Sequence, residues 1–169
     1  MDLSQVYREH YRSLVRYLYR RIGDQARAED LAQEAFVRAL EHEPADPRPW
    51  LFTVATNLAR DEGRRSAVRR RHLSLVKAEA TTRAPEPGPE VALERRETVQ
   101  RVRVALSRLA ERDREALLLW EEGFAYEEIA AVLGLSRASV GTTLSRARSR
   151  LASAYEKLLT EGNEQDVAR

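Results

Sequence analysis

An all-α fold, two small helical modules joined by an extended segment, is the architecture this sequence predicts. Three observations point to it. Apolar residues recur every three to four positions through most of the chain, no alternating strand pattern competes, and one Pro-rich stretch interrupts the periodicity. That stretch, Val76 to Ala92 (VKAEATTRAPEPGPEVA), carries Pro85, Pro87, Gly88 and Pro89 without an apolar repeat and reads as a flexible linker. It separates a first module, residues 1–75, from a second, residues 93–160, and residues 161–169 make a polar tail.

In the first module Leu3, Val6, Tyr7, Leu14, Val15, Leu18 and Ile22 share one helical face, and Gly23 supplies a C-cap. Asp24 can cap a second helix that buries Ala28, Leu31, Ala32, Ala35, Phe36, Ala39 and Leu40 and stops before Pro44. Pro44, Pro47 and Pro49 suggest an irregular loop. A third helix is expected from about Trp50, with Trp50, Leu51, Val54, Ala55 and Leu58 inward, running into the basic stretch Arg60 to Arg71. The second module opens on a helix with Val91, Leu93, Val99, Val102, Leu106 and Leu109 inward, followed by Glu111 to Trp120. Then come Ala125 to Leu133, burying Ile129, Ala130 and Leu133, a turn at Gly134 and Leu135, and a longer helix capped by Ser136 that carries Val140, Leu144, Ala147 and Leu151 inward. Two helices around a short Gly turn are the layout of a helix-turn-helix.

Composition narrows the function. The 169 residues carry 29 Lys and Arg against 27 Asp and Glu, so the net charge is only +2. All but Lys77 and Lys157 of those cations are Arg, whose planar fork suits phosphate and carboxylate partners. The near-neutral total hides local patches. Arg60, Arg64, Arg65, Arg69, Arg70 and Arg71 face only Asp61 and Glu62, and Arg137, Arg146, Arg148 and Arg150 share their segment with no acid. The stretch from Glu111 to Glu128 is acidic. Two separate basic surfaces suit contact with a nucleic-acid backbone at two places; two solvated helix faces are the plain alternative. With no Cys, a disulfide framework and a thiol nucleophile are excluded, and His10, His42 and His72 are too far apart to suggest a metal site. No cofactor is expected. Neither a signal sequence nor an apolar run long enough to span a bilayer is visible, which fits a soluble, cytoplasmic protein. Nor is there a phosphate-cradling Gly loop or a hydrolase or zinc-protease motif, so an enzyme is not expected.

On the last helix, residues opposite the buried stripe are Ala138, Ser139, Thr142, Ser145, Arg146 and Ser149. Low-profile hydroxylic side chains of this kind fit a major groove. Arg146 can fork onto a guanine edge while Arg137, Arg148 and Arg150 flank at phosphate reach.

Three long motifs, in order, resemble the extracytoplasmic-function sigma factors, the smallest sigma subunits of bacterial RNA polymerase. AEDLAQEAFVRAL (Ala28 to Leu40) is similar to that family's core-polymerase-binding helix. RPWLFTVATNLARDEGRR (Arg48 to Arg65) resembles its promoter-melting, minus-10 helix. Residues Leu106 to Leu151, LSRLAERDREALLLWEEGFAYEEIAAVLGLSRASVGTTLSRARSRL, resemble its minus-35 module. The resemblance implies that Asp30, Gln33, Glu34 and Phe36 meet core RNA polymerase. It implies that Asn57 and the loop Glu43 to Pro49 capture a flipped base of promoter DNA, with Arg60, Arg64 and Arg65 on the adjacent backbone. Trp50 would either stack on a base or pack in the core. Arg137, Ser139, Thr142, Ser145, Arg146 and Arg148 would serve the minus-35 element. An anti-sigma factor is the further expected partner, since a linker lets both modules be clamped at once.

The chain departs from the family pattern in three places. The loop before Trp50 is short and lacks an aromatic. Gly141 and Thr143 stand where basic residues are frequent, and Ala125 stands where a capping Ser or Thr is usual, which would leave Glu128 without its capping-box partner. A free-standing helix-turn-helix regulator that needs no polymerase is the alternative reading.

Overall fold

The computed structural model describes residues 2–72 and 89–167. Among the described residues there are seven α-helices and no strand, in two units, Met1–Arg83 and Ala84–Arg169.

The first unit is a three-helix bundle of α1 (Leu3–Ile22), α2 (Gln25–His42) and α3 (Pro47–His72), each packed on the other two. Asp2 starts α1 by accepting from the backbone N–H of Ser4 at 3.0 Å and Gln5 at 3.3 Å, satisfying two donors that the first turn leaves open. The helix stops where Gly23 turns left-handed and its N–H returns to the Tyr19 carbonyl at 2.8 Å. Asp24 then caps α2 through the Arg27 N–H at 2.9 Å. Ala28, Ala32, Ala35 and Ala39 form a fully buried strip along α2, and Ala55 and Ala59 of α3 are equally buried, so the helices can lie close together. Leu14, Tyr17, Leu18, Leu31, Leu51 and Phe52 fill the rest of the core. Within it the Tyr17 hydroxyl meets Thr56 Oγ1 at 2.8 Å, so both polar groups are satisfied away from water.

Several boundaries differ from the sequence expectation. The loop spans only residues 43–46, because α3 begins at Pro47. Pro47 and Pro49 sit in its first turn, where a missing N–H costs no helical hydrogen bond. The buried side of α3 is also rotated. Leu51, Phe52, Ala55, Thr56, Leu58 and Ala59 are inward, while Trp50 and Val54 are half-buried.

The second unit comprises α4 (Pro89–Ser107), α5 (Glu111–Glu121), α6 (Tyr126–Leu133) and α7 (Arg137–Val167). The long α7 packs against the other three, and α5 also packs on α6. Ile129, Ala130, Leu133, Val140, Leu144 and Ala147 are buried as expected, joined by Leu119, Phe124 and Val132. Gly134 closes α6 in the left-handed region, and its N–H meets the Ala130 carbonyl. Glu128 keeps half of a capping box, accepting from the Ala125 N–H at 2.7 Å although Ala125 can return nothing.

Here too the helices extend beyond their expected ends. Pro89 begins α4, so the last residues assigned to the linker are helical, while residues 76–88 lie outside the described residues, as do the side chains of Val91 and Leu93. Val99 and Val102 are exposed rather than inward. The supposed tail is helical as far as Val167, and Glu161 within it pairs with Arg108 at 3.0 Å.

Two substitutions test this packing. Gly141 lies inside α7, where an added Cβ would meet only the Tyr126 ring, at 3.5 Å. Gly141→Ala should therefore raise stability by about 0.5–1 kcal/mol in chemical denaturation. Tyr17→Phe should lower that of the first unit by about 1 kcal/mol.

Candidate nucleic-acid and partner interfaces

Because α2 commits its alanine strip to the core, Asp30, Gln33, Glu34, Val37 and Leu40 lie together on the opposite side, and all five are exposed. Arg27 approaches Asp30 at 3.6 Å, and Arg38 holds Glu34 at 2.6 Å. Phe36, expected both on the buried face of α2 and among the contact residues, is only 5% exposed. Its ring sits 5.0 Å from that of Tyr7 and 6.1 Å from that of Tyr11, which makes it the support of this surface rather than its face. Leu40, assigned to the core, is 56% exposed and Val37 is 54% exposed. These two apolar residues, with the half-open Tyr7, put exposed apolar surface beside the acidic stripe. A helical wheel places Val37 beside Glu34, so the signal was available; Leu40 lies at the border of the two faces, where periodicity alone does not decide.

On α3, Trp50, Asn57 and Arg64 recur at intervals of seven and share a face. Asn57, Arg64 and Arg65 are exposed, and Arg60 is half-buried. Trp50 falls between its two expected roles, half-buried with its ring 5.6 Å from that of His42 at the end of α2. The His42 ring is itself fixed by Nδ1, 2.9 Å from the Arg38 carbonyl. The acids of this basic stretch are engaged: Asp61 accepts from Arg64 at 2.6 Å, and Glu62 accepts from Arg27 of α2 at 2.6 Å. Side chains of Arg69, Arg70 and Arg71 lie outside the described residues.

In the second unit, Ala138, Thr142, Ser145 and Ser149 are the exposed centre of α7, and Ser139 is half-buried at its edge. Thr143 is buried and Gly141 faces Tyr126, so neither position belongs to the outer surface. The arginines line the two edges of this face, each held from below. Along one edge Arg137 pairs with Glu127 of α6, an interaction that holds the Glu127 carboxyl below its ordinary pKa through the hydrogen bond. Arg148 lies on the same edge with its guanidinium 5.4 Å from the centroid of the Trp120 ring, which in turn packs edge-on to Tyr126 at 5.6 Å. Along the other edge Arg146 and Arg150 both reach Asp113 of α5, at 3.2 and 2.5 Å. Arg146, expected to project freely, is therefore tethered. Asp113, Glu127 and Trp120 are the residues that sequence reasoning missed, because their role depends on which helix packs beside α7.

Among the described residues no group of His, Cys, Asp and Glu could hold a metal ion, and no helix is long and apolar enough to cross a membrane.

Comparison with known proteins agrees with this division. The Sigma-70 region 2 family matches residues 6–72, and the Sigma-70, region 4 family matches residues 99–151. The chain is 33% identical to RNA polymerase sigma factor YlaC of Bacillus subtilis (strain 168), covering 98% of this chain and 96% of that protein. It is 37% identical to ECF RNA polymerase sigma factor EcfG of Rhodopseudomonas palustris (strain TIE-1), over 77% of this chain and 72% of that one. Among solved structures it is similar to the sigma factor RpoE in complex with the anti-sigma factor NepR from Bartonella quintana, with a TM-score of 0.72, 25% identity, and coverage of 92% of this chain and 97% of that one. With both sigma regions present in order, and a sigma-factor relative that covers 98% of it, the chain belongs to the extracytoplasmic-function family of RNA polymerase sigma factors.

Proposed function

We propose that this sigma factor carries core RNA polymerase to promoters bearing distinct minus-10 and minus-35 elements, opens the minus-10 duplex and starts transcription of a specific set of genes in the cytoplasm. The observation that carries this reading is the outer face of α7: exposed, small and hydroxylic along its centre, with arginines along both edges. Such a face enters a major groove without steric conflict. If Arg137, Arg146, Arg148 and Arg150 all met phosphates, duplex binding would weaken with salt at a log–log slope of about −3.6.

The first unit supplies the other two tasks. The α2 stripe of Asp30, Gln33 and Glu34 around Val37 and Leu40 suits a basic partner helix with an apolar seam, which is the role assigned to core polymerase. On α3, the exposed amide of Asn57 can read the Watson–Crick edge of an unstacked base, with Arg60, Arg64 and Arg65 on the neighbouring phosphates. Opening the duplex costs a few kcal/mol per base, which the contacts to the freed strand must offset. An anti-sigma protein is the proposed inhibitor, as in the solved relative bound to one, and it would act by covering the α2 stripe and the α7 face together.

Run-off transcription with purified core, on promoters located by mapping start sites after overexpression, is the test. Promoter-specific RNA that depends on this chain is expected. A duplex footprint by the chain alone, with no RNA made, would instead favour a free-standing regulator. Within this reading Val37→Asp or Leu40→Asp should weaken binding to core about tenfold or more, whereas Asp30→Ala with Glu34→Ala should weaken it less and in a salt-dependent way. Equilibrium titration of labelled protein with core measures both.

A further inference from the structure

The Asp113 carboxylate of α5, beneath one edge of the α7 face, is a feature that the functional reading does not use. Asp113 is the third residue of α5 and is only 1% exposed, yet both of its oxygens bond side chains of another helix, Oδ1 to Arg146 and Oδ2 to Arg150. Those two arginines are themselves about half exposed. A buried carboxylate is costly unless paired, so the pairing restrains α7 as well as Asp113. An arginine has five N–H donors in a rigid fork, and Arg146 commits one amino group to Asp113, so its other donors remain for a partner outside. A free arginine side chain samples many rotamers. One pinned from behind offers its fork in a single direction, at the edge of the exposed Ser145 and Ser149 face.

We propose that Asp113 is a positioning residue for minus-35 recognition: it orients Arg146 for a base edge and keeps Arg150 at the groove wall, favouring selectivity over bare affinity for DNA. The proposal rests on the reading of α7 as the duplex-binding face. Asp113 cannot reach the nucleic acid itself because it is buried, so it acts through the two arginines. Without it their charges are released to whatever phosphates lie near, and contacts to phosphate carry no sequence information.

The two effects have opposite signs, which separates positioning from mere structural support. The experiment selects full-length protein against a pool of random-sequence duplexes and then titrates the enriched duplex and a scrambled one over a range of salt concentrations. Asp113→Asn, nearly isosteric, should lose about tenfold of its preference for the enriched sequence, concentrated at one base pair. Its affinity for the scrambled duplex should rise at low salt, with a salt slope steeper by about 0.9 as Arg146 moves from the base edge to a phosphate. Arg150→Gln, which leaves the Asp113–Arg146 pair intact, should keep the base preference while its slope becomes shallower by about the same amount, and it decides the matter should Asp113→Asn fail to fold. Equal loss of affinity for both duplexes in Asp113→Asn, an unchanged preference in that variant, or loss of preference in Arg150→Gln would overturn the proposal while leaving the duplex-binding reading in place. If the wild-type chain enriches no sequence at all, the reading of the α7 face fails, and this inference with it.

Discussion

Four alanines of α2, Ala28, Ala32, Ala35 and Ala39, let that helix lie close against α1 and α3, and this approach decides what the first unit shows to the outside. A bundle of about 70 residues has little volume for a core, so its stability must come from closely packed helices. Once the alanine strip is inward, the helical period turns Asp30, Gln33, Glu34 and Val37 outward. Phe36, nearer the border, closes over the aromatic pair on α1. The exposed acidic and apolar stripe of α2 is thus a by-product of the packing.

The second unit applies the same logic with charge. Val140, Leu144 and Ala147 seat α7 in the core, and the arginines then emerge along its two edges. Left alone, they would be mobile and mutually repulsive. Instead α5 and α6 supply a counter-group for each: Asp113 for Arg146 and Arg150, Glu127 for Arg137, and the Trp120 ring for Arg148. The acidic stretch between Glu111 and Glu128 therefore serves in part as the underside of a basic surface. The near-neutral total charge of the chain therefore does not argue against a polyanionic partner.

Periodicity made most of this architecture legible. The caps at Asp24, Gly23 and Gly134, the alanine strip and the inward face of α7 all follow from local spacing and from turn chemistry that depends on near neighbours. What was not legible depended on contacts between helices. The bond between Tyr17 and Thr56 in the core joins residues on two helices and leaves no local pattern. Pro47 and Pro49 look like loop residues because a proline that opens a helix and one that forbids it are written with the same letter. Leu40 departs from the inward face because it lies near the border of that face, whereas Phe36 stays inward against the α1 aromatics. The tether on Arg146 comes from a carboxylate 33 positions away, which no local pattern can register.

The central claim is that packing divides the exposed surface into one face for polymerase and another for duplex DNA. Hydroxyl-radical footprinting of side chains tests it most directly, comparing the full chain alone, with core polymerase, and with core plus a promoter fragment. Core is expected to protect Val37, Leu40 and Tyr7, and added promoter DNA to protect Trp120 and the exposed residues of α7 further. Unchanged reactivity of Val37 and Leu40 on addition of core, with α7 protected by DNA whether or not core is present, would contradict it.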